Sequence, residues 1–219
     1  MATLRHVGII PDGTRRWAKQ HGEDLESAYV RALTTLCRHV HSCYRHGAKD
    51  VSIYLLSSYN LRRTEDDLGP YSKAGVTFFR SLLPDLLEDS GATALLAGDI
   101  RLLPERFREP AKSALESGGR TERRLFLCAP YDPVAELRAA ALKWRSDREE
   151  RPIEDYLWVP SELDLVVRTG GARTLSNFLP LQCGYAQIIF LKRLFNELST
   201  EAFDGILRDH LDKEVKRGT

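Results

Sequence analysis

His6-Val7-Gly8-Ile9-Ile10-Pro11-Asp12-Gly13-Thr14-Arg15-Arg16-Trp17-Ala18 is the stretch that decides the fold. A short apolar run stops at a single aspartate, a glycine follows, and two adjacent arginines come next. The pattern predicts a buried strand over 7–10, one carboxylate at its carboxyl end, and a helix starting just beyond. Open α/β sheets place ligands at that edge. A carboxylate beside cations at a helix N-terminus suits a magnesium-bound phosphate or diphosphate. An aspartate before a helix also serves as a plain N-cap, and position alone leaves both readings open.

Strand and helix signals alternate along the rest of the chain. Apolar runs predict further strands over 51–56, 93–97, 124–128, 163–167 and 187–191. Helical spacing links Leu25 to Tyr44, with Gly47 as the stop, and recurs over 66–87 with a bend near Pro84. Two more helices are expected over 104–116 and 133–145, and Ser199 caps a closing one. This order implies one α/β domain over 1–219, a mostly parallel central sheet flanked by helices.

The bulk numbers narrow the function. The chain has 219 residues, 42% of them hydrophobic, which is enough for a sizeable core. Its 32 basic and 31 acidic residues leave a net charge of +1. That balance argues against a general nucleic-acid binder or a membrane-surface protein. The apolar run 7–10 is too short for a signal peptide, and no stretch approaches a membrane span. Cys37, Cys43, Cys128 and Cys183 form no C-x-x-C pair and read as reduced packing residues of a cytoplasmic protein. His6, His39, His41 and His46 read as lying on or near helical surfaces and show no metal-ligand spacing.

A parallel sheet gathers the carboxyl ends of its strands along one edge. Three clusters should therefore be neighbours. The first is Asp12, Gly13, Arg15 and Arg16. The second is Ser57, Ser58, Tyr59, Asn60, Arg62 and Arg63. The third is Arg168, Thr169, Gly170, Gly171, Arg173, Ser176 and Asn177. Arginine forks and hydroxyls suit phosphate oxygens, and the paired glycines let backbone N–H groups approach an anion. Each feature also has a plain reading: Gly170-Gly171 as a turn, Arg15, Arg62 and Arg63 as solvated faces, Trp17 and Phe178 as core or pocket wall. The functional case rests on three clusters at one edge. They point to two phosphorylated ligands and a metal.

These residues resemble the cis-prenyltransferases, the undecaprenyl diphosphate synthase-like enzymes. The family's first motif, H-x-A-x-I-M-D-G-N-x-R-W-A, appears as HVGIIPDGTRRWA. Its second, Y-x-F-S-x-E-N-x-x-R, appears as YLLSSYNLRR, and its late motif as DLVVRTGGARTLSNFLPLQCGYAQ. The resemblance covers almost the whole chain. It implies a homodimeric α/β fold with an elongated apolar tunnel, allylic prenyl diphosphates as substrates, a second diphosphate site, and Mg²⁺. Asp12 would hold Mg²⁺ on the allylic diphosphate, which Gly13, Thr14, Arg15, Arg16 and Trp17 would surround. Asn60 and Arg63, with Ser57 and Tyr59, would stand near the reacting centre. Arg168 and Ser176, with Arg173, Thr174 and Gln187, would serve the second diphosphate. The C-terminal Lys216-Arg217-Gly218 matches a family segment that reaches a neighbouring subunit's site.

The departures from the family pattern cluster near the second substrate. The Glu of the second motif is Tyr59. The G-E-x-R of the late motif is Gly171-Ala172-Arg173-Thr174, and the Glu after Tyr-Ala is Gln187. A basic or histidine position on the first long helix is Tyr29. In this the chain is similar to the irregular, lavandulyl-type branch, which implies a head-to-middle condensation onto dimethylallyl diphosphate. A regular short-chain enzyme using isopentenyl diphosphate and a non-catalytic subunit of a larger prenyltransferase are the alternatives.

Overall fold

The computed structural model describes residues 4–62, 64–116, 122–148 and 151–212. In chain order these form β1 (His6–Ile10), α1 (Thr14–His21), α2 (Leu25–Arg45), β2 (Asp50–Tyr54), α3 (Glu65–Thr77), α4 (Leu83–Ser90) and β3 (Thr93–Ala97). There follow α5 (Glu105–Glu116), β4 (Arg124–Cys128), α6 (Pro133–Ser146), β5 (Leu165–Arg168), β6 (Gln187–Phe190) and α7 (Thr200–Leu211). The six strands make one sheet in the order β3-β4-β2-β1-β5-β6, and every pairing is parallel. The expected α/β architecture is present.

Strand order fixes where a ligand can enter. From β1 the chain moves to β2 on one side, whereas β5 and β6 lie on the other. The crevice between the carboxyl ends of β1 and β5 is thus the switch point of the sheet, the place where open α/β folds bind ligands. Ile10 pairs with Arg168 across it.

Alternation along the strands separates two cores. Val7, Ile9, Val51, Ile53, Leu125 and Leu127 meet Leu36, Leu83, Phe107, Phe203 and Leu207 from the helices on one face. Ile10, Phe126, Cys128 and Val166 pack with Tyr131 and Phe178 on the other. There α6 is anchored by the buried carboxylate of Glu136, which accepts from Val159 N at 2.9 Å and from the Tyr131 hydroxyl. Burial pushes that carboxyl up from its ordinary value. The starts of α2 and α7 are capped: Asp24 accepts from Glu26 N and Ser27 N, and Ser199 from Ala202 N.

Three elements differ most from expectation. The 66–87 pattern is α3 and α4 joined by a π turn over Phe78–Leu82, so the break precedes Pro84, which sits in the first turn of α4. β2 ends at Tyr54, because Leu55 N and Leu56 N both turn onto Cys128 O at 3.2 Å. β5 starts two residues late, because Asp164 takes the backbone N–H groups of Arg5 and His6 instead, at 2.6 and 3.0 Å. It therefore runs one residue further and carries Arg168 within the ladder. His6 and His39 are buried, not on helical surfaces. Among the described residues no helix is long and apolar enough to cross a membrane.

Candidate active site

The residue that settles the opening motif is Gly13. It occupies the cap position of α1 with φ 114°, a left-handed conformation, and no side chain caps the helix. A Cβ here would lie 2.8 Å from Leu194 Cδ2. Asp12 is therefore not the N-cap, and its carboxylate is free for other partners. Its Oδ2 accepts from Arg168 Nη2 at 2.9 Å and its Oδ1 from Arg16 Nη2 at 3.3 Å. Arg16 comes from α1 and Arg168 from the end of β5, so this one carboxylate joins the first and third clusters.

Further bonds hold the pair in place. Arg16 Nη1 donates to Gly170 O at 2.7 Å, and Arg168 Nη1 donates to Ser176 Oγ at 2.8 Å and to Thr174 O. Thr169 Oγ1 accepts from Asp12 N at 2.9 Å and donates to Asp12 O at 2.8 Å. Gly170 (φ 84°) packs against the same group: a Cβ there would stand 2.7 Å from Arg16 Nη2 and 3.0 Å from Asp12 Cγ. Beyond it Ser176, Asn177 and Leu179 all take positive φ, at 50°, 65° and 43°. Such strain costs about 1–3 kcal/mol per residue and gathers where function demands it. Tyr54 steadies the loop by donating its hydroxyl to Ser176 O at 2.9 Å.

A cavity of about 660 Å³ opens from this cluster and runs between the sheet edge and the helices α2 and α3. Its polar end carries Asp12, Gly13, Thr14, Arg15, Arg16, Ser57, Tyr59, Asn60, Arg168 and Ser176. The second cluster closes by reciprocal bonds: Ser57 N donates to Asn60 Oδ1, and Asn60 N to Ser57 Oγ, both at 3.1 Å. Its apolar end carries Leu33, Leu36, Leu55, Leu56 and Leu68 with Tyr29 and Tyr71. A charged mouth on a greasy pocket suits a molecule with an anionic head and a hydrocarbon tail.

Several expected binding residues stand elsewhere. Trp17 is core: it packs with Ala18, Ala28 and Leu194 and stacks on His21 at 4.4 Å. Arg173 and Thr174 are exposed on the rim loop outside the cavity, although the Thr174 carbonyl positions Arg168. Gln187 does not line the cavity either. It begins β6 opposite Leu165, three residues below the Arg168–Phe190 level, about 10 Å from the ligand edge. Its Oε1 contacts His210 Nδ1 at 2.7 Å. Arg63 and the segment Lys216-Arg217-Gly218 lie outside the described residues.

Two basic residues were missed. Lys192 and Arg193 follow β6 directly, and Arg193 O accepts from Gly170 N at 2.7 Å, which puts both at the same edge. Their signal was a basic pair just after the last apolar run. All four cysteines are free, and burial raises each thiol above its ordinary value. Among the described residues no three His, Cys, Asp or Glu side chains gather in a metal-binding group.

A lone carboxylate between guanidinia is a donor set that fits Mg²⁺ only when substrate supplies the other ligands. Mg²⁺ keeps several waters and is bound through one or two carboxylates plus substrate phosphates. Asp12, with 34% of its side chain exposed at the cavity mouth, meets that requirement.

Fold and site together define a parallel α/β protein whose cavity has a charged mouth at the sheet's switch point and an apolar end under α2 and α3. Residues 10–218 match the family described as "Putative undecaprenyl diphosphate synthase", and the chain belongs to that family. It is 29% identical to the tritrans,polycis-undecaprenyl-diphosphate synthase (geranylgeranyl-diphosphate specific) of Pyrococcus furiosus, over 98% of this chain and 86% of that one. With the enzyme of the same name from Aeropyrum pernix it shares 31%, over 93% of each. The fold is that of lavandulyl diphosphate synthase from Lavandula x intermedia, solved with dimethylallyl diphosphate: TM-score 0.84 and 22% identity over 96% of each chain. The chain is accordingly a prenyl-transferring enzyme that releases diphosphate.

Proposed function

We propose that this chain is an irregular prenyl diphosphate synthase. It joins an allylic donor, geranyl or dimethylallyl diphosphate, to dimethylallyl diphosphate head-to-middle. The product is a branched isosesquilavandulyl- or lavandulyl-type diphosphate. One observation carries this reading: Asp12 is the sole carboxylate of the cavity lining among the described residues, and both its oxygens already face arginines. Where the regular family pattern has a Glu in the second motif, Tyr59 lines the mouth, 73% exposed and beside Arg62. Losing an acid there changes how the second diphosphate and its alkene lie against donor C1, and geometry decides which carbon attacks.

The chemistry balances as follows. The donor C1–O bond breaks and its electrons leave with diphosphate. C2 of the acceptor alkene bonds to C1, C3 becomes a tertiary cation, and a proton is lost to form the new double bond. Arg16 binds the departing diphosphate and offsets its growing charge, and Arg168 takes the second, acceptor diphosphate. Ser176 Oγ, held by Arg168, and the backbone around Gly170 orient it. Asp12 would hold Mg²⁺, which when bound would supply further charge neutralisation at the leaving group. The proton passes to a diphosphate oxygen; Tyr54 is no alternative acceptor, because burial pushes its hydroxyl up to about 12. We further read the working form as a homodimer.

Product analysis with Mg²⁺, dimethylallyl and geranyl diphosphates, with and without isopentenyl diphosphate, tests the proposal. A branched product formed without isopentenyl diphosphate supports it. Linear products that require isopentenyl diphosphate would make this a regular chain-elongating enzyme.

A further inference from the structure

The apolar half of the cavity has a definite depth. Its α2 wall runs from Tyr29 to Leu36, about two helical turns, or roughly 10 Å. The sheet and the turn after β2 line it near the carboxyl edge, through Ile10, Tyr54, Leu55 and Leu56. One residue below that edge, Ile53 is closed into the core with Phe78, Leu83 and Leu127. Leu36, 1% exposed, is the last α2 residue to reach the cavity before solid packing begins.

The gap between α2 and α3 is shut by aromatic rings. Tyr29 and Tyr71 meet edge to face with centroids 5.2 Å apart. Tyr71 is pinned by its hydroxyl, which donates to Leu55 O at 2.7 Å, and is backed edge-on by Phe107. Phe107 comes this close to α3 because Gly75 has no side chain: a Cβ would lie 2.9 Å from the ring.

An extended prenyl chain advances about 5 Å per isoprene unit, four carbon–carbon bonds. Two units fill the depth. We propose that Leu36 is the stop for the donor's tail and the Tyr29–Tyr71 pair its side wall, so that the donor is a ten-carbon allylic diphosphate. The inference rests on the reading of this chain as a prenyl diphosphate synthase but is independent of which acceptor carbon attacks.

Donor binding without acceptor tests it. Dissociation constants of five-, ten- and fifteen-carbon allylic diphosphates are measured by calorimetry on the full chain with Mg²⁺. The ten-carbon donor binds tightest, and the fifteen-carbon donor binds at least about tenfold more weakly. Leu36→Ala lengthens the pocket and erases that penalty. Leu36→Phe shortens it and moves the preference to five carbons, which keeps the test open if the alanine variant fails to fold. Folded variants with the wild-type length order would overturn the proposal, as would a wild-type chain that binds the fifteen-carbon donor best. A linear product in the separate turnover assay would sink the head-to-middle reading and leave this one standing.

Discussion

Replacing Asp12 with alanine removes the carboxylate that two arginines share, and its effects divide cleanly between empty and liganded protein. Without ligand, Arg16 loses a 3.3 Å partner and Arg168 a 2.9 Å partner. The losses are unequal. Arg16 is half exposed, so its pair contributes at most about 1 kcal/mol. Arg168 is 8% exposed, and stranding a buried charge costs about 3–5 kcal/mol when both partners are dry. Here Asp12 is a third exposed to screening water, and Arg168 keeps its bonds to Thr174 O and Ser176 Oγ. The discounted cost is about 1–2 kcal/mol. For a chain of 219 residues that lowers Tm by about 2–8 °C.

Diphosphate reverses the penalty. In the variant both guanidinia face the cavity with no competing carboxylate, so inorganic diphosphate alone stabilises it at least as much as wild type, about 2.7 kcal/mol at a hundred times Kd. Mg²⁺ adds to that stabilisation in wild type and adds nothing in Asp12→Ala. Turnover falls by roughly a thousandfold, about 4 kcal/mol of transition-state stabilisation. The assay is thermal unfolding in diphosphate with and without Mg²⁺, beside product formation. A variant whose Tm in diphosphate still rises with Mg²⁺, or whose turnover stays within about threefold of wild type, would refute the assignment of Asp12. Weaker diphosphate binding by the variant would show that Arg16 and Arg168 do not face the ligand.

Gly170→Ala drives a methyl to 2.7 Å from Arg16 Nη2 at a φ of +84°; kcat/KM falls by at least about tenfold, and an unchanged value would mean the loop yields freely. Asn177, at φ 65°, is tolerated there as Asn; Asn177→Ala costs about 1 kcal/mol whereas Asn177→Gly costs almost nothing, a difference that urea midpoints report. Burial lowers His6 and His39 from 6.5 to about 4 each. Below pH 6.5 the unfolded chain takes up protons that the folded chain refuses. Stability is therefore complete above that pH and falls toward pH 4 by about 1.4 kcal/mol per unit for each histidine. A flat unfolding midpoint between pH 7 and 4.5 would contradict their burial as neutral rings.

The same physics explains what could be read in advance. Strands over 93–97 and 124–128 are bounded as expected because short apolar runs between polar loops have one way to be buried. The three clusters meet because a parallel sheet brings its carboxyl ends together whatever the details of each loop. Three other features left no mark on composition. A π turn inserts one residue into helical spacing without interrupting the apolar pattern, so α3 and α4 read as one helix. Helical spacing puts Leu33 and Leu36 on the apolar face of a helix, but periodicity does not tell whether that face meets packed atoms or a cavity. Gln187 was placed by its neighbourhood in a motif, but depth along the sheet depends on strand register, and register puts it opposite Leu165.

The Asp12 ambiguity has the same character and a sharper resolution. An aspartate before a helix normally spends its oxygens on the helix's own N–H groups. In this chain the following glycine adopts φ 114° and takes the cap place itself. The helix then begins with no side-chain acceptor, and both oxygens of Asp12 turn outward to Arg16 and Arg168. The order Asp-Gly is thus what converts a capping residue into a ligand-facing one. A residue with a Cβ at 13 would meet Leu194 within 2.8 Å. Gly13→Ala should therefore disturb Asp12 more than it disturbs α1. In that variant Mg²⁺-dependent stabilisation by diphosphate is lost while the far-ultraviolet helix signal stays near wild type. Loss of helix signal with the Mg²⁺ response intact would mean that the glycine serves the helix and not the site.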